Sequence, residues 1–140
     1  MTAFYQIGPF DEWPDLERVV VAWLTQQVSD VPTQTEVDDT LADSLPLLQV
    51  QRVPGGSSDG VTEEALVDVT TYAGDRRTLW QTAQRAHAAM LRLSTQTVAG
   101  MSVDWCEVDN GLGEVAYANP KIRRAVGTYR LTTRAQATSA

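Results

Sequence analysis

Hydrophobic and polar residues alternate along the chain in a pattern that predicts two helices and four principal strands. Near the N-terminus, hydrophobic residues recur at i, i+3, i+4, i+7 and i+8, which is the spacing of one buried helical face. The first helix is predicted to begin at Pro14, since proline suits the first helical position, and to end near Gln27 or Val28. Its buried face is predicted to hold Leu16, Val19, Val20, Trp23 and Leu24.

The most strongly patterned stretch is residues 67–93, VDVTTYAGDRRTLWQTAQRAHAAMLRL, where a predicted strand is followed at once by a long amphipathic helix. Asp75 is predicted to cap this helix by accepting a backbone N–H at its start. The opposite side of the helix is polar, so the helix is expected to lie on a sheet. The side predicted to face the sheet carries Leu79, Trp80, Ala83, Ala86, His87, Met90 and Leu91.

The remaining periodic stretches predict strands at 47–53, 64–72, 101–108 and 124–134. The first two strands are joined by PGGSSDG, residues 54–60, which is predicted to be an exposed, mobile hairpin loop. The last two strands are joined by a connection over residues 109–122. Residues 38–46 are predicted to form a loop or a single helical turn.

The order helix, strand, strand, helix, strand, strand is typical of the α+β class. It predicts a mostly antiparallel sheet with an N-terminal helix and one long central helix packed on it. A chain of 140 residues suits one domain, which is assigned to residues 1–134. Residues 135–140 have no apolar anchor and are predicted to form a frayed C-terminal tail.

Composition indicates where the protein is made and whether it is expected to contact a membrane. No apolar run approaches the roughly 18 residues that a membrane span needs, so no membrane partner is expected. The N-terminus lacks the basic region and apolar core of a signal peptide. Cys106 is the single cysteine, which excludes an internal disulfide and makes synthesis in the cytoplasm the expectation.

Charge is distributed unevenly along the chain. Residues 1–75 hold 14 acidic and 2 basic residues, whereas residues 76–140 hold 4 acidic and 9 basic residues. A net charge of −7 makes the chain a poor candidate for tight nucleic-acid binding, which depends on Lys and Arg neutralising phosphates. Two interpretations stay open: the oppositely charged halves attract other copies head to tail, or they interleave in the fold and the charges mix.

No motif in the sequence points to catalysis or to a metal. The junction Gly74-Asp75-Arg76 has a lone glycine and no following Lys, so a turn and a helix cap are favoured over a phosphate loop. His87 is the only histidine, and with Cys106 it forms no recognisable triad or ligand set. A packed or boundary histidine and a buried structural thiol are therefore expected, with no catalytic residue and no cofactor.

Two further groups of residues are also assigned structural roles. The adjacent carboxylates Glu63-Glu64 and Asp38-Asp39 point in different directions in a strand or a helix, which disfavours an acid/base pair. The four tryptophans suggest a ligand cage at first, but three of them fall at core-facing positions, so the core is favoured. These tryptophans are Trp13, Trp23, Trp80 and Trp105.

Four segments carry a resemblance to a known family: VVVAWL, LPLLQVQRVPGG, ALVDVTTYAGDRRTLWQTAQRAHAAML and YANPKIRRAVGTYRLTTR. Their order and spacing, which span most of residues 16–134, resemble tail terminator proteins of phages with long non-contractile tails. The resemblance is strongest to phages of actinobacterial hosts, where such chains are also described as minor tail or tail completion proteins. The long connection VPTQTEVDDTLADS departs from the family pattern.

The resemblance implies a sheet flanked by helices and a structural protein without enzymatic activity. It implies a homohexameric ring that caps the tail tube, ends tube polymerisation and faces the head–tail connector protein. DNA would pass through without sequence-specific binding, and the tail tube protein would be the other partner. The expected location is the head-proximal end of the virion tail, after synthesis in the host cytoplasm.

Two alternatives to a tail terminator stay open. One is a head–tail connector or tail tube subunit of the same virion. The other, from a different class, is a small hydrolase or ligand-binding domain that uses the tryptophans and His87.

A closed ring joins two different patches of each subunit, and the oppositely charged halves of the chain offer such patches. Negative charge is preferred at a helix N-terminus, so two arginines there indicate an external acidic partner. The predicted basic patch is Arg76, Arg77, Arg123 and Arg124, and the predicted acidic patch is Asp38, Asp39 and Asp43. The hairpin is predicted to contact a neighbouring subunit or the tube through Gly55, Gly56, Ser57, Ser58 and Asp59.

Overall fold

The structure is a computed structural model that describes residues 15–134. Pro14, Trp13 and the tail predicted over 135–140 lie outside the described residues. The predicted order of helices and long strands is confirmed, with three short strands added. In chain order the elements are α1 (Leu16–Gln27), β1 (Thr33–Gln34), a 3₁₀ turn (Leu41–Asp43), β2 (Leu47–Ser58), β3 (Thr62–Ala73), α2 (Arg76–Leu91), β4 (Thr97–Val98), β5 (Met101–Ser102), β6 (Trp105–Val115) and β7 (Arg123–Arg134).

The principal sheet has five strands in the order β1-β2-β3-β7-β6. The short edge strand β1 runs parallel to β2, and the other neighbours are antiparallel. At the centre, β3 pairs with β7 along its whole length, from Thr62 opposite Arg134 to Ala73 opposite Arg123. Strands β4 and β5 form a separate small hairpin. The α+β prediction is confirmed.

One face of the sheet, the helix face, carries the hydrophobic core beneath α1 and α2. Alternate residues of the central strands, such as Val67 and Tyr129, point to this face and are buried. The predicted inner residues of α1 are all buried there, which confirms the 3.6-residue pattern. The Trp23 indole Nε1 donates a hydrogen bond of 2.7 Å to the Ala89 carbonyl, which joins α1 to α2 inside the core.

Helix α2 begins as predicted, with the Asp75 side chain accepting a hydrogen bond from the Thr78 N–H. Its buried face packs on the sheet through residues such as Leu79 and Ala83, and it also contacts α1, because the fully buried Ala89 accepts a hydrogen bond from Trp23. The prediction for Leu91 is wrong, since its side chain is 45% exposed. The sequence prediction assumes that α2 packs on the sheet alone, so it does not account for the second contact that α2 makes with α1.

The hairpin of β2 and β3 departs from the predicted loop over 54–60. Strand β2 continues to Ser58, which pairs with Glu63. A bulge between Val53 and Ser57 takes up the extra residues, and the turn itself covers only residues 59–61. The glycine-rich composition therefore marks a bulge inside a strand rather than a loop.

The hairpin of β6 and β7 departs from the prediction in a similar way. Strand β6 runs from Trp105 to Val115, so the predicted connection over 109–122 begins only after residue 115. Two register shifts, on either side of Asn110, absorb the Asn-Gly-Leu-Gly stretch. The predicted strand over 101–108 is broken, because Met101–Ser102 pairs with β4 instead of with β7.

The other face of the sheet, the open face, is covered by neither α1 nor α2. At one end the segment 35–46 crosses it, and Leu41 is buried there against Leu47, Tyr72 and Ile122. Further along, the face is polar, with Thr128 donating a hydrogen bond of 2.6 Å to Asp68. Trp105 lies on this face and is 53% exposed, so it is not a core residue.

Candidate functional site

His87 and Cys106 are the residues with the most chemical potential, and both have structural surroundings. The His87 Nδ1 lies 2.7 Å from the hydroxyl of Tyr129, whose own pKa is raised by burial and by Cys106. Burial and the neighbouring Glu107 raise the pKa of the Cys106 thiol to about 12, which keeps it protonated near neutral pH. A protonated, buried thiol is a poor nucleophile. His87 is partly buried and Cys106 is buried, which confirms the predictions of a packed or boundary histidine and a buried thiol.

The N-terminus of α2 is already occupied by a side chain of this chain. The Asp75 carboxylate accepts hydrogen bonds from the Thr78 N–H at 2.8 Å and the Thr78 hydroxyl at 3.0 Å. These bonds, with the backbone one largest, lower the pKa of Asp75. Because the carboxylate fills the position that a bound anion would take, the junction is a turn and a cap, as the sequence indicates.

A groove with a volume of about 770 Å³ lies between α2 and the segment that follows α1. Its lining includes Val31, Pro46 and Arg85, and Arg85 is already paired with Asp30 at 3.0 Å. Among the described residues, this lining has no histidine or cysteine and no pair of carboxylates. Within residues 15–134 no group of three His, Cys, Asp or Glu side chains is placed to hold a metal ion. Neither described helix is long and apolar enough to cross a membrane.

Three of the four predicted interface arginines lie on the helix side of the sheet. Arg76 and Arg123 both bind Glu114, at 3.4 Å and 2.9 Å. The Arg76 guanidinium also lies over the ring of Trp80, 5.9 Å from its centroid. The buried indole Nε1 of Trp80 has no hydrogen-bond partner among the described residues. Arg77 is exposed and forms no ion pair with a described side chain, although its charge helps to lower the pKa of Asp75.

Arg124 points to the open face, because neighbouring residues of a strand alternate. Its guanidinium donates to the Ala116 carbonyl at 2.8 Å and lies over the ring of Tyr117, 5.3 Å from the centroid. The structure therefore separates Arg123 from Arg124, and the four arginines do not form one patch.

The predicted acidic residues lie beside the open face, in the segment that crosses it. Asp38 and Asp39 line a depression together with Tyr117 and Ile122. Asp38 accepts two hydrogen bonds from Thr40, through its hydroxyl and its N–H, and these lower the Asp38 pKa. Neither aspartate forms an ion pair with a described residue.

The predicted hairpin residues lie at the opposite end of the sheet from the arginines. Gly55 and Gly56 form the bulge, and Ser57 and Ser58 are paired with β3. Asp59 accepts hydrogen bonds from the N–H groups of Val61 and Thr62, at 2.9 Å and 2.7 Å. Each of the five predicted residues is exposed, and all lie away from the other predicted contacts, at the other end of the sheet.

The two charged halves of the chain interleave in part. Asp30 binds Arg85, and Glu64 lies 3.7 Å from Arg130, so each pair joins the first half to the second.

Glu114 is a functional candidate that the sequence did not predict, because residue 114 falls in the predicted connecting loop. Glu114 lies between Arg76 and Arg123 in space, and only the register of β6 with β7 reveals that position.

Comparison with known proteins gives the chain a family and a related fold. A family model described as "Phage tail termination protein" matches residues 12–139. Among solved structures, a chain from the virion of a native gene transfer agent particle matches with a TM-score of 0.64 and 12% sequence identity. The match covers 85% of this chain and 94% of that one, and it shows a shared fold. No protein with a curated function matches by sequence.

The family model takes in both helices and every described strand, so the match does not rest on one motif. It also confirms the resemblance to tail terminators that the four sequence segments indicated, whereas the host is not identified. The chain therefore belongs to the phage tail termination protein family and is a structural component of the virion tail.

Proposed function

We propose that this protein forms a ring that caps the phage tail tube, ends its polymerisation and joins the tail to the head connector. The tail is of the long, non-contractile kind, and DNA passes through the ring without sequence-specific binding. Membership of the tail termination family, over residues 12–139, is the observation that carries this proposal. The net charge of −7 supports passage without tight DNA binding.

The ring is proposed to be a homohexamer at the head-proximal end of the tail. A closed ring needs two different contact surfaces on each subunit. The chain offers differently charged surfaces on the helix side and the open side of its sheet. The hairpin tip, which includes Ser57, Ser58 and Asp59, lies at the other end of the sheet and is proposed to reach the tube or a neighbouring subunit.

The protein is proposed to have no enzymatic activity. The protonated thiol of Cys106 and the hydrogen-bonded ring of His87 support this, since a nucleophile needs an activating base within reach. If variants His87→Gln and Cys106→Ser fold and assemble normally but yield no phage, the hydrolase alternative gains support.

Tails made in cells that lack this protein test the proposal directly. The expected result is tubes of excessive and variable length that do not join heads, because nothing ends polymerisation. Adding the purified wild-type chain should restore joining. Complete loss of tubes would instead indicate a tube subunit, and unjoined tubes of normal length would indicate a connector.

A further inference from the structure

We propose that each ring contact joins the helix side of one subunit to the acidic segment of the next. The helix-side patch consists of Arg76, Arg77, Trp80 and Arg123, and the acidic segment is residues 36–43. This inference rests on the proposed ring and names the surfaces that form it.

The acidic segment has charges that the fold leaves without ion-pair partners. Residues 36–43 carry four carboxylates and no basic residue. All four side chains belong to exposed residues, and none forms an ion pair with another described residue. Elsewhere in the described chain, Asp30, Glu63 and Asp104 each bind an arginine. The segment therefore presents a concentrated negative charge to whatever lies outside the subunit.

The helix-side patch carries positive charge, which is complementary to the negative charge of the acidic segment. Glu114 is shared between Arg76 and Arg123, so one carboxylate faces two guanidinium groups. Arg77 adds a further exposed positive charge that forms no ion pair with a described side chain. The buried indole Nε1 of Trp80 has no acceptor among the described residues, and the exposed Arg76 guanidinium lies over the same ring, so a partner that binds Arg76 also covers the tryptophan. Arginine and tryptophan are also the residue types that most often dominate protein interfaces.

The two surfaces lie at the same end of the sheet but on opposite faces. Arg123 is opposite Ala73, whose side chain packs under α2, so the patch belongs to the helix face. Leu41, within the acidic segment, packs on Tyr72 of the open face. The sheet itself thus separates the two charges within one subunit. Two subunits that stack helix side to open side bring them together, and the contact repeats in one direction as a closed ring requires.

Arg124 is not part of this contact, although it adjoins Arg123 in sequence. Its guanidinium is held on the open face by the Ala116 carbonyl and the ring of Tyr117. It lies on the same side of the sheet as the acidic segment of its own chain. Exposed ion pairs add little affinity, so the charges set the register of the ring and apolar burial supplies most of the affinity.

Single charge reversals, measured by sedimentation with and without tail tubes, test this contact. Arg77→Glu and Asp39→Arg should each raise the protein concentration needed for half-assembly by at least about tenfold, because each creates a like-charge contact. Neither change should unfold the monomer, and Arg77→Glu places an acid in the first turn of α2, where it is favourable. Arg18→Glu is the matched control, since Arg18 is an exposed residue in the first turn of α1.

An equal mixture of the two variants gives the decisive measurement. In a ring where the two variants alternate, the helix-side patch of Arg77→Glu faces the acidic segment of Asp39→Arg, so opposite charges meet again. At the next contact the unchanged patch of Asp39→Arg faces the unchanged segment of Arg77→Glu. Assembly should therefore recover in the mixture and in the double variant, while Arg18→Glu assembles like wild type throughout. Rings formed equally well by both single variants, or no recovery in the mixture, would overturn this contact but leave the ring intact. A wild-type chain that forms no ring even with tail tubes would overturn the proposed function itself.

Discussion

The β2–β3 and β6–β7 hairpins each contain a glycine-rich stretch inside a long strand, yet the glycines meet different demands. Gly55 and Gly56 have φ values of 129° and 84°, which favour glycine. A Cβ on Gly56 would lie 2.0 Å from the Glu64 carbonyl oxygen. A Cβ on Gly111 or Gly113 would meet nothing within 4 Å. The bulge in β2 therefore requires glycine, whereas the irregular stretch of β6 does not.

The two hairpins also differ in how they are attached to the rest of the fold. The β6–β7 hairpin is attached to α2 by the contact between the Tyr129 hydroxyl and His87. It is attached to the residues after α2 by a hydrogen bond from the Cys106 N–H to the Ser94 hydroxyl. The tip of β2–β3 is held by the Asp59 turn and by the ion pair of Arg52 with Glu63, and its β3 side is also paired with β7, where Thr62 lies opposite Arg134. Changes confined to the turn at residues 59–61 should therefore act locally, unless they disturb the bulge.

The largest effect is expected from Gly56→Ala, which should lower the free energy of unfolding by about 2–3 kcal/mol. The alanine would combine a strained positive φ with a collision against backbone that cannot move aside. Chemical denaturation measures the loss. Gly60→Ala is the control, because Gly60 has a φ of 88° but open space around it, and about 1 kcal/mol is expected there. Equal losses at both positions would show that the collision contributes nothing.

The next effect is expected on the β6–β7 side, where Tyr129→Phe removes the hydroxyl that His87 contacts at 2.7 Å. A buried hydrogen bond of this kind contributes about 0.5–1.5 kcal/mol to the free energy of unfolding. His87→Gln combined with Tyr129→Phe in a double-mutant cycle isolates the pair. A coupling energy near zero would show that the contact does not anchor the hairpin. Tail joining should be unaffected in the folded variants.

These hairpins also show where the sequence was sufficient and where it was not. The α+β class, the inner face of α1 and the Asp75 cap were all predicted, because each depends on local spacing or on one side chain. The extent of β2 and β6 was not predicted, because glycines inside a bulge resemble glycines in a turn. Which of the two they form is decided by the partner strand, and a linear pattern does not contain that partner.

The candidate interface shows the same limit. The sequence identified Arg76, Arg123 and Arg124 as charged candidates. It did not place Arg123 and Arg124 on opposite faces, because the predicted strand begins at Arg124 whereas β7 begins at Arg123. Glu114 was missed altogether, since its strand was predicted to end at residue 108 but continues to Val115. Composition therefore indicates which charged residues are candidates, whereas the pairing of the strands decides which of them share a face.

A smaller, local effect is expected at the tip of β2–β3 as pH falls. Hydrogen bonds from the N–H groups of Thr62 and then Val61 lower the pKa of Asp59. A lowered pKa means that the carboxylate stabilises the turn above its ordinary pKa, and that this contribution is lost as pH falls through the folded-state value. Amide chemical shifts of Val61 and Thr62 should therefore change in acid, and Asp59→Asn should abolish that change.

The other hairpin supplies the control for this titration. In the β6–β7 connection the Lys121 N–H bonds to the neutral amide oxygen of Asn119 at 3.0 Å, so no titration of the capping group is possible there. The Lys121 amide should keep its chemical shift across the same pH range. If the Val61 and Thr62 amides respond to acid equally in Asp59→Asn, the carboxylate is not the cause.

The smallest effect is expected from Gly113→Ala, which should change the free energy of unfolding by no more than about 0.5 kcal/mol. Gly113 lies outside the positive φ region, and its Cβ position is open. Alanine also reduces the freedom of the unfolded chain, which favours the folded state slightly. Chemical denaturation beside Gly56→Ala makes the comparison direct. A loss above about 1 kcal/mol would mean that the β6 bulge also requires glycine, and the contrast between the two hairpins would fail.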